Sequence, residues 1–166
     1  MNPVRSPRIR VAAYVLRRRG SSWELLVFEQ AGRPHAGRQV PAGGVHPDET
    51  SEDAVLREVR EETGLTALSV RVQLVVEDKL HPLTGYPRST AFFVIDVVTE
   101  TRDRWEHRVR GGDSDDGLVF DCRFVPLPLD RSLADEQDTW LGLIDHRFAT
   151  TYGRGAENGH ARLDDA

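Results

Sequence analysis

The sequence predicts an α/β domain, a mixed β-sheet with helices packed on it, from three observations. Strand-like runs rich in β-branched and aromatic residues occur before, between and after two stretches of helical periodicity. The chain has 166 residues, enough to bury one sizeable core and too few for a second full domain. Its composition, 39% apolar and 30% charged, is that of a globular chain, with no internal repeat and no interdomain linker.

Each element follows from local chemistry. Residues 1–8 are expected to be a flexible tail, residues 9–152 a single domain, and the polar residues 153–166 a disordered tail. "RIRVAAYVLRR" and "WELLVFEQ" read as two strands joined at Gly20-Ser21-Ser22 in a hairpin. "AGRPHAGRQVPAGG" is a Gly/Pro/Arg loop with room for one very short strand near Gln39–Pro41. Thr50 is placed to cap a helix over residues 51–63, with Glu52 and Asp53 in its first turn and Gly64 at its C-terminal end. "LSVRVQLVVEDKL" (68–80) and "RSTAFFVIDVVT" (88–99) are strands around the turn-bearing "HPLTGYP". "RWEHRVR" is a short strand, "GGDSDDG" (111–117) an acidic loop, and "LVFDCRFVPL" (118–127) a strand ended by prolines. Leu133, Trp140, Leu141, Ile144 and Phe148 recur at helical spacing, predicting one amphipathic helix from about Ser132 to Phe148.

Several function classes are disfavoured. A net charge of −5 without a long basic block weighs against a duplex-DNA binder, and no DNA-binding segment is apparent. Cys122 is the single cysteine, which excludes an intrachain disulfide and a Cys-based zinc site and reads as a buried strand residue. His35, His46, His81 and His107 show no pairing that suggests zinc. No apolar run approaches the ~18 residues of a membrane span, and "MNPVRSPR" lacks the apolar region of a signal peptide. A cytoplasmic location is the expectation.

The 51–63 helix carries the chemistry. Glu58, Glu61 and Glu62 stand at i, i+3 and i+4, so their carboxylates share a face, while Val55, Leu56 and Val59 share the face that packs on the sheet. A solvated face held by pairs such as Arg57–Glu61 would explain part of this. Yet like charges at i, i+4 cost roughly 0.2–0.5 kcal/mol, and a hard divalent cation relieves that repulsion. Mg²⁺ takes oxygen ligands, keeps several waters, and prefers one or two carboxylates together with substrate phosphates.

Gly43, five residues, Glu49, seven residues, then Arg57-Glu58-Val59-Arg60-Glu61-Glu62-Thr63-Gly64-Leu65 resembles the Nudix box at every specified position. Its seven fixed residues would coincide by chance at roughly one start in 10⁸ to 10⁹. The resemblance implies an α/β/α sandwich with the mixed sheet between helices. It also implies hydrolysis of a nucleoside diphosphate linked to another moiety X, with Mg²⁺ or Mn²⁺ as cofactor. By similarity Glu61 and Glu62 are metal ligands, Glu58 is a third ligand or the general base, and the Gly43 carbonyl completes the metal shell. Arg57 and Glu49 belong to the same catalytic set, with Arg57 holding the carboxylates in register. Gly44 would let the loop approach the pyrophosphate.

Outside the box the signals are weaker. Arg38, with Arg33 and Arg88, is a candidate for gripping phosphate, and Gly44 and Arg38 form the expected substrate-binding set. Asp116 and Asp113, with Asp115 between the same glycines, are candidates for an auxiliary acid, Asp116 foremost because it adjoins the next strand. Tyr14, Phe28, Tyr86 and Trp105 are of a type that stacks on bases, though packing is the plainer reading. The expected partner is a small nucleotide-like diphosphate substrate, with no membrane and with a homodimer as a candidate assembly. A nucleoside triphosphate pyrophosphohydrolase and a non-catalytic nucleotide sensor of the same fold are the rival readings; X and the preferred metal are left open.

Overall fold

The computed structural model describes residues 4–111 and 114–150. Its elements are β1 (Arg8–Arg19), β2 (Ser22–Gln30), β3 (Ala42–Gly44), α1 (Ser51–Thr63), β4 (Leu68–Leu80), β5 (Pro87–Val97), β6 (Arg104–Arg108), β7 (Val119–Pro126) and α2 (Leu141–Ile144). The strands form one sheet in the order β4-β5-β1-β2-β7-β6, with β3 beside β1. β1 and β5 run parallel while the other pairs are antiparallel, so the sheet is mixed.

β1 is the axis of the domain. Its unbroken apolar run suits a strand covered on both faces. Val11, Ala13 and Val15 enter one core with Phe28, Phe93, Ile95, Phe120 and the buried helix residues Val55 and Val59. The alternate residues Ala12, Tyr14 and Leu16 enter a second core with Leu25, Phe92, Leu133, Leu141 and Phe148. α1 therefore covers one face of the sheet and the chain after β7 covers the other, which makes the α/β/α sandwich. Among the described residues no helix is long and apolar enough to cross a membrane.

Two elements depart from expectation. The short strand lies at Ala42–Gly44, just past Pro41, and Gln39 makes only an isolated bridge to Phe28. Pro41 has no N–H to give a ladder, and its carbonyl instead accepts from Ala13 N at 2.8 Å. More substantially, the helix expected over residues 132–148 is not continuous. It is replaced by a 3₁₀ turn at Ala134–Glu136, the single turn of α2, and a second 3₁₀ turn at His146–Phe148. Leu133, Leu141 and Phe148 are buried and Trp140 and Ile144 half-buried against the same core, but long-range bonds hold the backbone elsewhere. The Tyr14 hydroxyl donates to the Gln137 carbonyl, Val40 N donates to Gln137 Oε1 at 2.9 Å, and Leu133 N donates to Asp138 Oδ1 at 3.0 Å. Asp135 and Glu136 take left-handed φ of 54° each, which ends any helix there.

Candidate active site

α1 is fixed at both ends. The Thr50 hydroxyl accepts from Asp53 N at 3.1 Å, and Gly64 terminates the helix with φ 78°, its N–H bonding to Arg60 O at 2.9 Å. Two side chains from β6 satisfy carbonyls of the last turn that the helix itself leaves open. Trp105 Nε1 donates to Thr63 O at 2.7 Å, and His107 Nε2 lies 2.9 Å from Glu61 O, which requires the proton on Nε2. A Cβ at Gly64 would come within 2.9 Å of His107 Nδ1, so the glycine answers both to backbone conformation and to the approach of β6.

Arg57 is the hub of the acidic face. Its Nε and Nη2 engage both oxygens of Glu49, at 2.7 and 2.9 Å, a bidentate pair reaching from the helix to the loop before it. Nη1 donates to Glu58 Oε1 at 2.8 Å and Glu61 Oε2 at 3.3 Å, and Nη2 also donates to the Gly44 carbonyl at 2.8 Å. One guanidinium thus ties three carboxylates to β3. Hydrogen bonds from Arg57 hold the Glu49 carboxyl down at about 2.

Glu62 is the outlier. It is 4% exposed, and its Oε2 is buried with no hydrogen-bond partner. Burial pushes its carboxyl well above the ordinary range, and the charges of Glu58 and then Asp115 push it further. Glu61 is raised by burial and by Glu58, against the pull of Arg57. A Cβ on Gly43 would collide with the Glu58 carboxylate, so the strand carrying Gly43 is pressed directly against the acids.

These features fit a divalent cation. A buried, unpartnered carboxylate oxygen next to a second carboxylate and a bare backbone glycine is a hard-oxygen donor set of the kind Mg²⁺ takes. Among the described residues no three His, Cys, Asp or Glu side chains already converge as a closed metal site. Arg57 spans Glu58 and Glu61 instead.

The structure separates the other candidate residues. Asp113 lies outside the described residues. Asp116 is exposed and its Oδ1 accepts from Gly111 N at 3.0 Å, a bond that closes the loop on itself. Asp115, half-buried, is the loop acid whose charge is felt at Glu62. The same loop approaches α1: a Cβ at Gly111 would lie 3.3 Å from Glu61 Oε1. Arg38 is buried and pairs with Asp130 at 2.8 Å, and its carbonyl accepts from Ala134 N, so it is engaged with the chain after β7 rather than with the box acids. Tyr14, Phe28 and Trp105 are packing residues, Phe28 stacked on Phe120 with centroids 4.2 Å apart.

Sequence reasoning missed a basic feature on the opposite side of β3. Arg8 and Arg10 of β1 and Arg88 of β5 line a cavity of about 590 Å³ together with His81 and Tyr86. Of the three, the sequence singles out Arg88 alone. The two-residue spacing of Arg8 and Arg10 in a strand put them on one face, a signal that was present but lost among the chain's other surface arginines. A cleft of about 400 Å³ at the C-terminal end of α1, near Trp105 and His107, includes none of the box glutamates.

Comparison with known proteins bears on the family and the fold. The family described as the NUDIX domain matches residues 6–139. "Putative nudix hydrolase 1" of Caenorhabditis elegans is 43% identical over 68 residues, which cover 37% of this chain and only 19% of that protein. A solved NUDIX hydrolase from Nitrosomonas europaea superposes with a TM-score of 0.51 at 26% identity, covering 73% of this chain and 72% of that one. A solved UDP-X diphosphatase superposes with a TM-score of 0.60 at 17% identity, over 84% of this chain and 62% of the other, a likeness of fold. With the family match spanning most of its length and a box complete from Gly43 to Leu65, the chain belongs to the NUDIX domain family.

Proposed function

We infer that the protein is a divalent-cation-dependent pyrophosphohydrolase, with Mg²⁺ or Mn²⁺ as the cation, cleaving a diphosphate bond in a nucleoside diphosphate linked to another moiety. The observation that carries this reading is Glu62, buried beside Glu58 with one carboxylate oxygen unpartnered, while Gly43 of β3 is pressed against Glu58. Glu61 and Glu62 are the residues that would hold the cation, with Glu58 and the Gly43 carbonyl close by. The bound cation supplies charge neutralisation at the phosphoryl oxygens and a lowered pKa for water.

The chain's own residues do the rest. Arg57 and Glu49 hold the carboxylates in place, so that they need not reorganise when charge develops. Glu58 takes the proton of the attacking water, and Gly44, without a Cβ, lets the phosphates come close to the backbone. Water attacks phosphorus, and the bond between phosphorus and the bridging oxygen breaks.

The test is a panel of nucleotide sugars, dinucleoside polyphosphates, nucleoside triphosphates and non-nucleotide diphosphates, assayed with Mg²⁺, with Mn²⁺ and with chelator. Cation-dependent release of a phosphorylated product from at least one is expected. Turnover undiminished by thorough chelation overturns the reading.

A further inference from the structure

The cavity beside the box is lined by more positive charge than the protein neutralises. Arg8 and Arg88 are direct partners in the parallel pairing of β1 with β5, a placement of like charges that costs stability. Arg10 lies two residues on, on the same face. Asp135 is the carboxylate that answers them: it pairs with Arg88 at 2.8 Å and is shared with Lys79 at 3.2 Å. Arg88 is 6% exposed, and the Nε groups of both Arg88 and Arg10 are buried without a hydrogen-bond partner. Burial and the charges of Arg88 and Arg8 hold the Arg10 guanidinium below its ordinary range, against the pull of Asp135 and Glu62.

The rest of the lining also donates. His81 Nδ1 accepts from Leu83 N and Thr84 N at 3.2 Å each, which leaves Nε2–H as the donor of the neutral ring. Arg5 packs over the Tyr86 ring at 5.3 Å, adding a further cation at the rim. Guanidinium forks pair with phosphate oxygens two at a time, and buried unpartnered donors are satisfied by such an anion.

The cavity adjoins the acidic face. β3 separates the two, with the missing Cβ of Gly43 facing the Glu58 carboxylate and that of Gly44 lying 3.2 Å from Arg8 Nη2. Gly43 and Gly44 are consecutive, so the acids and the arginine cavity stand on either side of one three-residue strand.

We propose that the Arg8–Arg10–Arg88 cavity holds phosphates of the substrate beyond the scissile diphosphate, so that the substrate class is one carrying three or more linked phosphates. As a statement about substrate this rests on the pyrophosphohydrolase reading. As a statement about anion affinity it does not.

The experiment has two arms. Inorganic tripolyphosphate is titrated calorimetrically into the full chain in the presence of EDTA. Binding is expected in the wild type, and no weaker in Glu61→Gln/Glu62→Gln, where a carboxylate felt at Arg10 is gone. It should weaken at least tenfold in Arg8→Gln and in Arg10→Gln, and weaken with added salt. Arg8 is exposed, so its variant should keep the fold, as a thermal melt checks. In the second arm, the KM of Arg8→Gln for a nucleoside triphosphate should rise about tenfold with kcat within twofold, while its KM for a nucleotide sugar stays unchanged. Equal tripolyphosphate affinity in wild type and both variants, or no binding at all, removes the cavity's role. Equal KM shifts for the two substrate types remove the assignment to phosphates beyond the scissile bond. Arginine-dependent binding with no turnover of any substrate would instead sink the hydrolase reading and leave the anion cavity standing.

Discussion

Two clusters of like charge flank β3, and they are built on opposite plans. On the α1 side, Glu49, Glu58 and Glu61 share one guanidinium, that of Arg57, which uses its fork on all three and on the Gly44 carbonyl. On the other side three arginines have one ion-pair partner, Asp135, which Lys79 also claims, and beyond it the charge of Glu62 reaches Arg10 from the acidic face. The first cluster is positioned by the protein's own charges, and within it only Oε2 of Glu62 is buried without a partner. The second is left short of negative charge. A side chain that finds its partner within the fold is held in register, and one that does not is available to a ligand.

The largest expected effect breaks the acidic side. Glu61→Gln and Glu62→Gln each keep the side-chain shape and remove a ligand charge, so kcat on a confirmed substrate at saturating Mg²⁺ should fall by roughly 10² or more. Glu58→Gln should fall as far, with no rescue by extra metal. Asp115→Asn and Asp116→Asn should cost less, Asp116 least, because its carboxylate serves the loop's own backbone. A dead aspartate variant beside a near-normal Glu58→Gln would move the general base to the loop.

Next comes the contrast between the two kinds of arginine. Removing one partner of a largely buried ion-pair network costs about 3 kcal/mol, so Arg57→Ala should lower stability by that order in urea titrations. Arg10→Gln removes a charge that burial, Arg88 and Arg8 disfavour while Asp135 and Glu62 favour it, so its midpoint should move far less than that of Arg57→Ala. Equal losses in both variants would mean that the two clusters are neutralised alike. Cation binding should sharpen the same contrast. Mg²⁺ should raise the melting temperature of the wild type, and raise it less in Glu61→Gln/Glu62→Gln, by the ordinary linkage of ligand to fold.

A smaller effect tests the register of Arg57 by pH. The Glu49 carboxyl is depressed in the folded state from 4.5 to about 2, so its stabilising contribution is complete above pH 4.5 and is lost as pH falls through about 2. Glu49→Gln should therefore lose less stability than the wild type between those two values, measured by denaturant titration without metal. The smallest effect concerns Cys122, whose thiol burial holds up at about 12. Iodoacetamide at pH 7.5 should leave the native protein unmodified and label it readily in urea. Rapid native labelling would mean that the core under α1 opens.

Much of the fold and of the acidic face was legible because short-range rules decide them. Thr50, the acidic first turn and Gly64 set the ends of α1 through bonds within four residues. The spacing of Glu58, Glu61 and Glu62 put them on one face whatever surrounds them. The β4 boundaries follow from β-branched content, and the unbroken run in β1 follows from burial on both sides. Which acid is buried was not legible. Glu61 and Glu62 are neighbours in sequence, yet Glu62 is buried while Glu61 keeps contact with Arg57.

The chain itself, read locally, determined the helix, its caps, the alternating cores and the common face of the acids, because each depends on residues a turn or a strand apart. Tertiary structure alone decided three things. It broke the segment from Ser132 to Phe148 into short turns, since hydrogen bonds from Tyr14 and Val40 to Gln137 outweigh one more stretch of helical backbone bonds. It brought Trp105 and His107 onto the last carbonyls of α1. And it gathered Arg8, Arg10 and Arg88 from two parallel strands nearly eighty residues apart in sequence, where only the pairing of β1 with β5 makes them one site.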